Sequence, residues 1–69
     1  MIVVTIQTET ARWYLQRVEA ERALFTTGIN RAYRFGNAHE AHEARESQPF
    51  MRALEQEFDA ATVAIERAK

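Results

Sequence analysis

Two histidines and two glutamates lie close together near the middle of the chain, in the order His39-Glu40-Ala41-His42-Glu43. Zinc proteases place two histidines four residues apart with a glutamate between them, whereas these two are three apart. Di-iron proteins place a glutamate three residues before a histidine, and neither histidine has one. A zinc site needs three or four protein ligands, and the remaining ligands are not found. We therefore expect a solvated helix face and no metal site.

Residues for covalent or acid–base catalysis are scarce. The chain contains no cysteine and a single serine, Ser47. The carboxylates lack the apolar surroundings that raise a catalytic pKa, and two glycines cannot build a phosphate-binding loop. We expect a protein that is not an enzyme, with no catalytic residues and no cofactor.

The size of the chain favours self-association. Its 69 residues form one domain, 1–69, and a chain this short buries only about 60% of its unfolded surface. Small domains compensate with disulfides, metals or oligomers. Because cysteine is absent, disulfides and thiolate zinc sites are excluded. A homodimer is the expected solution.

Charge and hydropathy restrict the partners. The net charge of −1 argues against direct binding to nucleic acid or to a membrane surface. Residues 11–36 carry five arginines against two glutamates, and residues 37–59 carry six acidic residues against two arginines. Two antiparallel helices of opposite charge would complement each other. No apolar run approaches the roughly 20 residues of a membrane span, and no signal peptide is recognised, so we expect a cytoplasmic protein.

The first residues predict a β-strand. Ile2–Gln7 is almost entirely β-branched, and such residues favour extended backbone. No other stretch predicts a strand, so we expect the pairing partner outside the chain. The same strand of a second copy would pair through Ile2, Val4 and Ile6. The edge of another protein's sheet and a frayed terminus are the alternatives.

The stretch from Glu9 to Phe35 predicts one long helix. Its apolar residues recur at three- and four-residue steps, and Thr8 is placed to cap its N-terminus. A second apolar face, which includes Trp13 and Leu24, requires a second neighbour. We assign Leu24 to the dimer contact.

The remainder predicts a second helix, about 38–68. Gly36 ends the first helix, and Asn37 stands in a capping-box relation to Glu40. An apolar seam runs from Met51 to Ala68 at helical spacing, while Pro49 either bends this helix or divides it into two. The expected fold is mainly α, an antiparallel helical hairpin with a short N-terminal strand, assembled as a homodimer.

Arginine and aromatic residues supply the candidate binding surface, because Arg, Tyr and Trp are over-represented at interface hot spots. Around Arg31–Phe35 two interpretations stay open: a contact patch, or Tyr33 and Phe35 closing the core while the arginines remain solvated. Of Trp13 and Tyr14, one is expected to pack in the dimer and the other to meet a partner. The candidate partner-binding residues are Trp13, Tyr14, Arg31, Tyr33, Arg34 and Phe35.

Taken whole, the chain resembles the small quorum-sensing anti-activator proteins of Pseudomonas phages. The likeness is carried by the extended start Ile2–Gln7, a long first helix with Trp13 and Tyr14, the turn at Gly36 and Asn37, and the closing seam. The resemblance implies a homodimer in the host cytoplasm that blocks DNA binding by a LuxR-type transcription activator. It also implies binding to the ATPase that assembles type IV pili.

The leading hypothesis is therefore a non-enzymatic phage-type inhibitor of host proteins. A structural or adaptor subunit of a larger assembly is one alternative. A small helical nucleic-acid-binding protein, which would use the positively charged first helix, is the other.

Overall fold

The computed structural model describes residues 1–68, so Lys69 of the predicted domain lies outside the described residues. Within residues 1–68 the chain forms a four-stranded antiparallel sheet packed against two helices. The prediction of a mainly α helical hairpin is therefore wrong. The strands are β1 Ile2–Gln7, β2 Arg12–Val18, β3 Ala23–Thr26 and β4 Thr62–Arg67, in the order β3-β2-β1-β4. A 3-10 helix at Ile29–Arg31, α1 at Ala38–Arg45 and α2 at Gln48–Glu57 lie between β3 and β4.

The predicted long helix over 9–35 is instead the hairpin of β2 and β3. Trp13 and Leu15 are two residues apart on β2, and both side chains face the helices. This spacing is the period-two pattern of a strand. Aromatic and β-branched residues favour that extended backbone. At the turn, the backbone N–H of Glu19 donates to the carbonyl oxygen of Arg22 at 2.7 Å.

Strand β1 is confirmed at Ile2–Gln7, but its partners lie within the chain. It pairs with β2 on one side and with β4 on the other. Val4 and Ile6 are 0% exposed. Because both edges of β1 are occupied, Ile2, Val4 and Ile6 cannot form the predicted strand pair with a second copy. A homodimer stays a prediction, and its contact must lie elsewhere.

The two helices cover one face of the sheet. α1 lies over β1 and β4, and α2 lies against β3. The ring of Phe50 on α2 meets the ring of Phe25 on β3 at a centroid distance of 5.8 Å. Apolar side chains from both layers form one core: Val4, Ile6, Leu15, Ala23, Phe35, Ala41, Phe50 and Ala53.

The predicted helix over 38–68 is two helices followed by a strand. Pro49 lies in the first turn of α2, where its fixed φ and missing N–H are tolerated, so it marks the start of a new helix. The predicted seam breaks down because Met51 is 57% exposed while its neighbour Phe50 is buried.

With 8 and 10 residues, neither α1 nor α2 reaches the roughly 20 residues that cross a membrane.

Asn37 caps α1, as its sequence position predicted. Its side-chain oxygen accepts a hydrogen bond from the backbone N–H of Glu40 at 2.9 Å. Replacing Asn37 by alanine leaves that N–H without its partner and should cost about 1 kcal/mol in the free energy of unfolding. Urea unfolding measures this change, with Asn37→Asp as the matched control because aspartate caps equally well. Equal stability of the two variants would contradict the assignment of the cap.

Candidate protein-binding groove

The predicted partner-binding residues do not form one surface. Trp13 lies opposite Ile6 in the β1–β2 pair, whereas Phe35 forms a bridge with Ile2 at the other end of β1. Tyr14 faces the side of the sheet away from the helices, because successive strand residues point to opposite faces. The structure therefore separates the Trp13 region from the Arg31–Phe35 region.

In the Arg31–Phe35 segment, the core interpretation holds for Phe35 but not for Tyr33, and a contact patch stays a prediction. Phe35 is 8% exposed and belongs to the core, while Tyr33 is 52% exposed. The two rings lie 4.6 Å apart between centroids. Arg31 is exposed on the 3-10 helix, and Arg34 is half-buried. Beside Tyr33 lies a cavity of about 230 Å³, lined by Leu15, Arg17, Val18, Tyr33, Phe35 and Ala44.

Trp13 belongs to an aromatic cluster that joins the sheet to the end of α2. Its ring meets that of Phe58 edge-on, with centroids 5.7 Å apart and an interplanar angle of 69°. Phe58, the residue after α2, contacts Phe25 of β3 at 4.9 Å. All three rings are half-buried. Such edge-to-face contacts fix the rings relative to one another, so the exposed side of the cluster is a preformed surface.

Two adjoining cavities open beside this cluster, and both are bounded by Trp13, Glu57 and Phe58. The first, of about 440 Å³, is completed by residues of the β2–β3 hairpin: Arg22, Ala23, Leu24 and Phe25. The second, of about 410 Å³, is completed by the loops on either side: Thr8, Glu9, Thr10, Asp59 and Ala60. We refer to the two cavities together as the Trp13 groove, to the first as its hairpin end and to the second as its acidic end.

The acidic end carries three carboxylates, those of Glu9, Glu57 and Asp59. All three residues are exposed, and among residues 1–68 none of them forms an ion pair. The only basic residue among the described groove residues, Arg22, lies at the hairpin end. Negative charge is therefore concentrated at the acidic end of the groove, and the basic residue lies at the opposite end.

Local backbone geometry fixes the two loops that carry the carboxylates of the acidic end. The hydroxyl of Thr8 accepts a hydrogen bond from the N–H of Ala11 at 3.1 Å, and the N–H of Thr8 donates to the carbonyl oxygen of Ala11 at 2.9 Å. These bonds close the β1–β2 turn and hold Glu9 and Thr10 outward. Across the groove, Ala60 adopts a positive φ of 52° and reverses the chain between α2 and β4.

The histidine segment lies on α1, where both histidines and both glutamates are exposed and Ala41 is buried. His39 Nε2 is 2.7 Å from Glu43 Oε1, one helical turn further along. Within residues 1–68, no group of three or more His, Cys, Asp and Glu side chains is placed to hold a metal ion.

The sequence predicted Trp13 as a binding residue but did not predict Phe58 and Phe25, the aromatic residues of the same cluster. Phe58 was assigned to the helical seam and Phe25 to the first helix. The alternation of Trp13 and Leu15 was the available signal for a strand. A strand there would have placed Trp13 beside whichever element covers the sheet.

No family model, curated protein or solved structure matches the chain. The long first helix and the closing seam that carried the resemblance to phage anti-activator proteins are absent from the described residues. Inhibition of a LuxR-type activator and binding to a pilus ATPase stay predictions from that resemblance.

Proposed function

We propose that the chain is a non-enzymatic protein-binding module that holds a segment of a partner protein in the Trp13 groove. The observation that carries this proposal is the half-buried Trp13 beside two adjoining open cavities. Each cavity has a volume typical of ligand-binding clefts. Tryptophan is also among the residues that contribute most to binding free energy at interfaces.

The shape of the groove favours an extended segment over an enclosed small molecule. Its two ends are built by different loops and share one aromatic wall. A segment that crossed this wall would contact both ends at once. The rings are already packed against one another, so binding would require little reordering of side chains, which favours affinity.

We place this activity in the cytoplasm, since small extracellular domains commonly depend on disulfides and this chain has no cysteine. The LuxR-type activator and the pilus ATPase are specific partners to test as purified proteins.

Site-specific photo-crosslinking tests the proposal without disturbing the core. Thr10 is exposed and lines the groove, so a photoreactive p-benzoylphenylalanine at this position should crosslink to a partner in the native cell. The same group at Met51, which is exposed and lies outside the groove, is the matched control and should give no such product. Placement at Tyr33 tests the competing surface. A partner captured from Tyr33 or Met51 but not from Thr10 would contradict the proposal.

A further inference from the structure

We infer that the acidic end of the Trp13 groove takes a cationic side chain, lysine or arginine, from the partner segment. This inference rests on the proposed function and names the chemistry of the ligand. Its basis is the placement of one aromatic wall and three carboxylates around a single cavity.

The charge of the acidic end favours a cationic ligand. Glu9, Glu57 and Asp59 bring three negative charges to the cavity, and the residues that line it include no lysine, arginine or histidine. Because no ion pair within residues 1–68 uses these carboxylates, they are available to a ligand. An acidic segment would be repelled, whereas an ammonium or guanidinium group would be attracted.

The aromatic wall of the acidic end also favours a cation. Trp13 and Phe58 line the same cavity as the carboxylates. Aromatic faces attract cations through their quadrupole, and tryptophan does so most strongly. The alkyl stem of a lysine or arginine would pack against the rings while its charged head reached the carboxylates. A neutral apolar side chain could pack against the rings but would not be attracted by the carboxylates.

The difference in charge between the two ends of the groove favours one direction for the bound segment. Arg22 and the apolar residues Ala23, Leu24 and Phe25 line the hairpin end. At the hairpin end the positive charge of Arg22 offsets the negative charge of Glu57, so a cation would be attracted less strongly there than at the acidic end. The polarity of the groove therefore directs the cationic residue of the segment to the acidic end and an apolar residue to the hairpin end.

The test uses short acetylated and amidated peptides that contain leucine and one variable position: lysine, arginine or norleucine, the uncharged residue closest to lysine in shape. Trp13 is the only tryptophan of the chain, so its fluorescence reports directly on binding at this wall. The lysine and arginine peptides should change the emission saturably and bind about fivefold or more tightly than the norleucine peptide. Added salt should weaken the binding of the charged peptides.

Charge-neutralising variants locate the effect. The double variant Glu9→Gln with Asp59→Asn alters only exposed side chains. It should bring the affinity ratio of the lysine peptide to the norleucine peptide close to one. The control is Glu55→Gln, which removes one negative charge from an exposed residue of α2 outside the groove. This variant should leave the preference unchanged. Unchanged preference in the double variant would overturn the inference.

The two proposals fail in different ways. Equal binding of the norleucine and lysine peptides, or no saturable binding of any peptide, would overturn the cationic assignment. The photo-crosslink from Thr10 to a native partner is independent of these peptides, and its absence would overturn the groove as a protein-binding site.

Discussion

Replacing Phe50 by alanine is expected to remove a large part of the free energy of unfolding. The side chain is 1% exposed, is among the largest fully buried ones and contacts the ring of Phe25. Truncating a buried phenylalanine typically costs 3–5 kcal/mol. A domain of this size has a total free energy of unfolding of roughly 3–10 kcal/mol. Urea unfolding followed by circular dichroism measures the loss.

Met51→Ala is the matched control, one residue further along α2. Met51 is 57% exposed, so its truncation should change the free energy of unfolding by no more than about 0.5 kcal/mol. The helical seam predicted from the sequence makes the opposite assignment, with Met51 inside. A large loss in Met51→Ala together with a small one in Phe50→Ala would contradict the sheet and support the seam.

Replacing Ala41 by glutamate should be comparably damaging. Ala41 is 0% exposed and lies on the buried face of α1, which packs on β1 and β4. A carboxylate there would be buried without a partner, and we expect a loss of about 3 kcal/mol or more. Burial raises the pKa of the introduced carboxyl above its unfolded value. The folded form then gains protons as pH falls, so the loss should diminish from neutral pH toward about pH 4.

Ala38→Glu is the matched control on the same helix. Ala38 is exposed at the first position of α1, where a negative charge interacts favourably with the helix dipole. This variant should be as stable as the parent or slightly more stable. If both glutamate variants unfolded at the same urea concentration, the packing of α1 on the sheet would be contradicted.

Parts of the fold could be predicted because local chemistry alone determines them. The β-branched run from Ile2 to Gln7 has few helical rotamers available and forms a strand. Asn37 caps a helix with its own side chain, and Pro49 can enter a helix only near its start. Each of these tendencies can be recognised from the residue and its immediate neighbours, although β1 is completed by pairing with distant residues of β4.

The β2–β3 hairpin could not be predicted from the same kind of signal. Its turn, at Glu19–Arg22, contains no glycine, proline or asparagine, so the usual marker of a hairpin is absent. Leu15, Val18 and Phe25 also happen to follow helical spacing. Period-two and period-3.6 patterns overlap in such short runs, and only tertiary packing decides between them.

The candidate site depends on contacts between residues that are distant in the sequence. Trp13 was identified by its residue type, but its contact with Phe58 spans most of the chain. The carboxylates of Glu9 and Asp59 come together only because β1 lies between β2 and β4. Tyr14, by contrast, was grouped with Trp13 through sequence adjacency and faces the other side of the sheet.

The central claim is that residues 12–26 form a hairpin, because this hairpin places Trp13 against Phe58 and creates the groove. Tyr14 and Thr26 are direct cross-strand partners in the sheet, whereas one continuous helix would separate them by about 18 Å at 1.5 Å per residue. A nuclear Overhauser experiment on the labelled protein distinguishes the two arrangements. We predict a cross-strand contact between the backbone protons of Tyr14 and Thr26. An unbroken series of sequential amide–amide contacts through residues 12–26, without the cross-strand contact, would contradict the hairpin and the groove built on it.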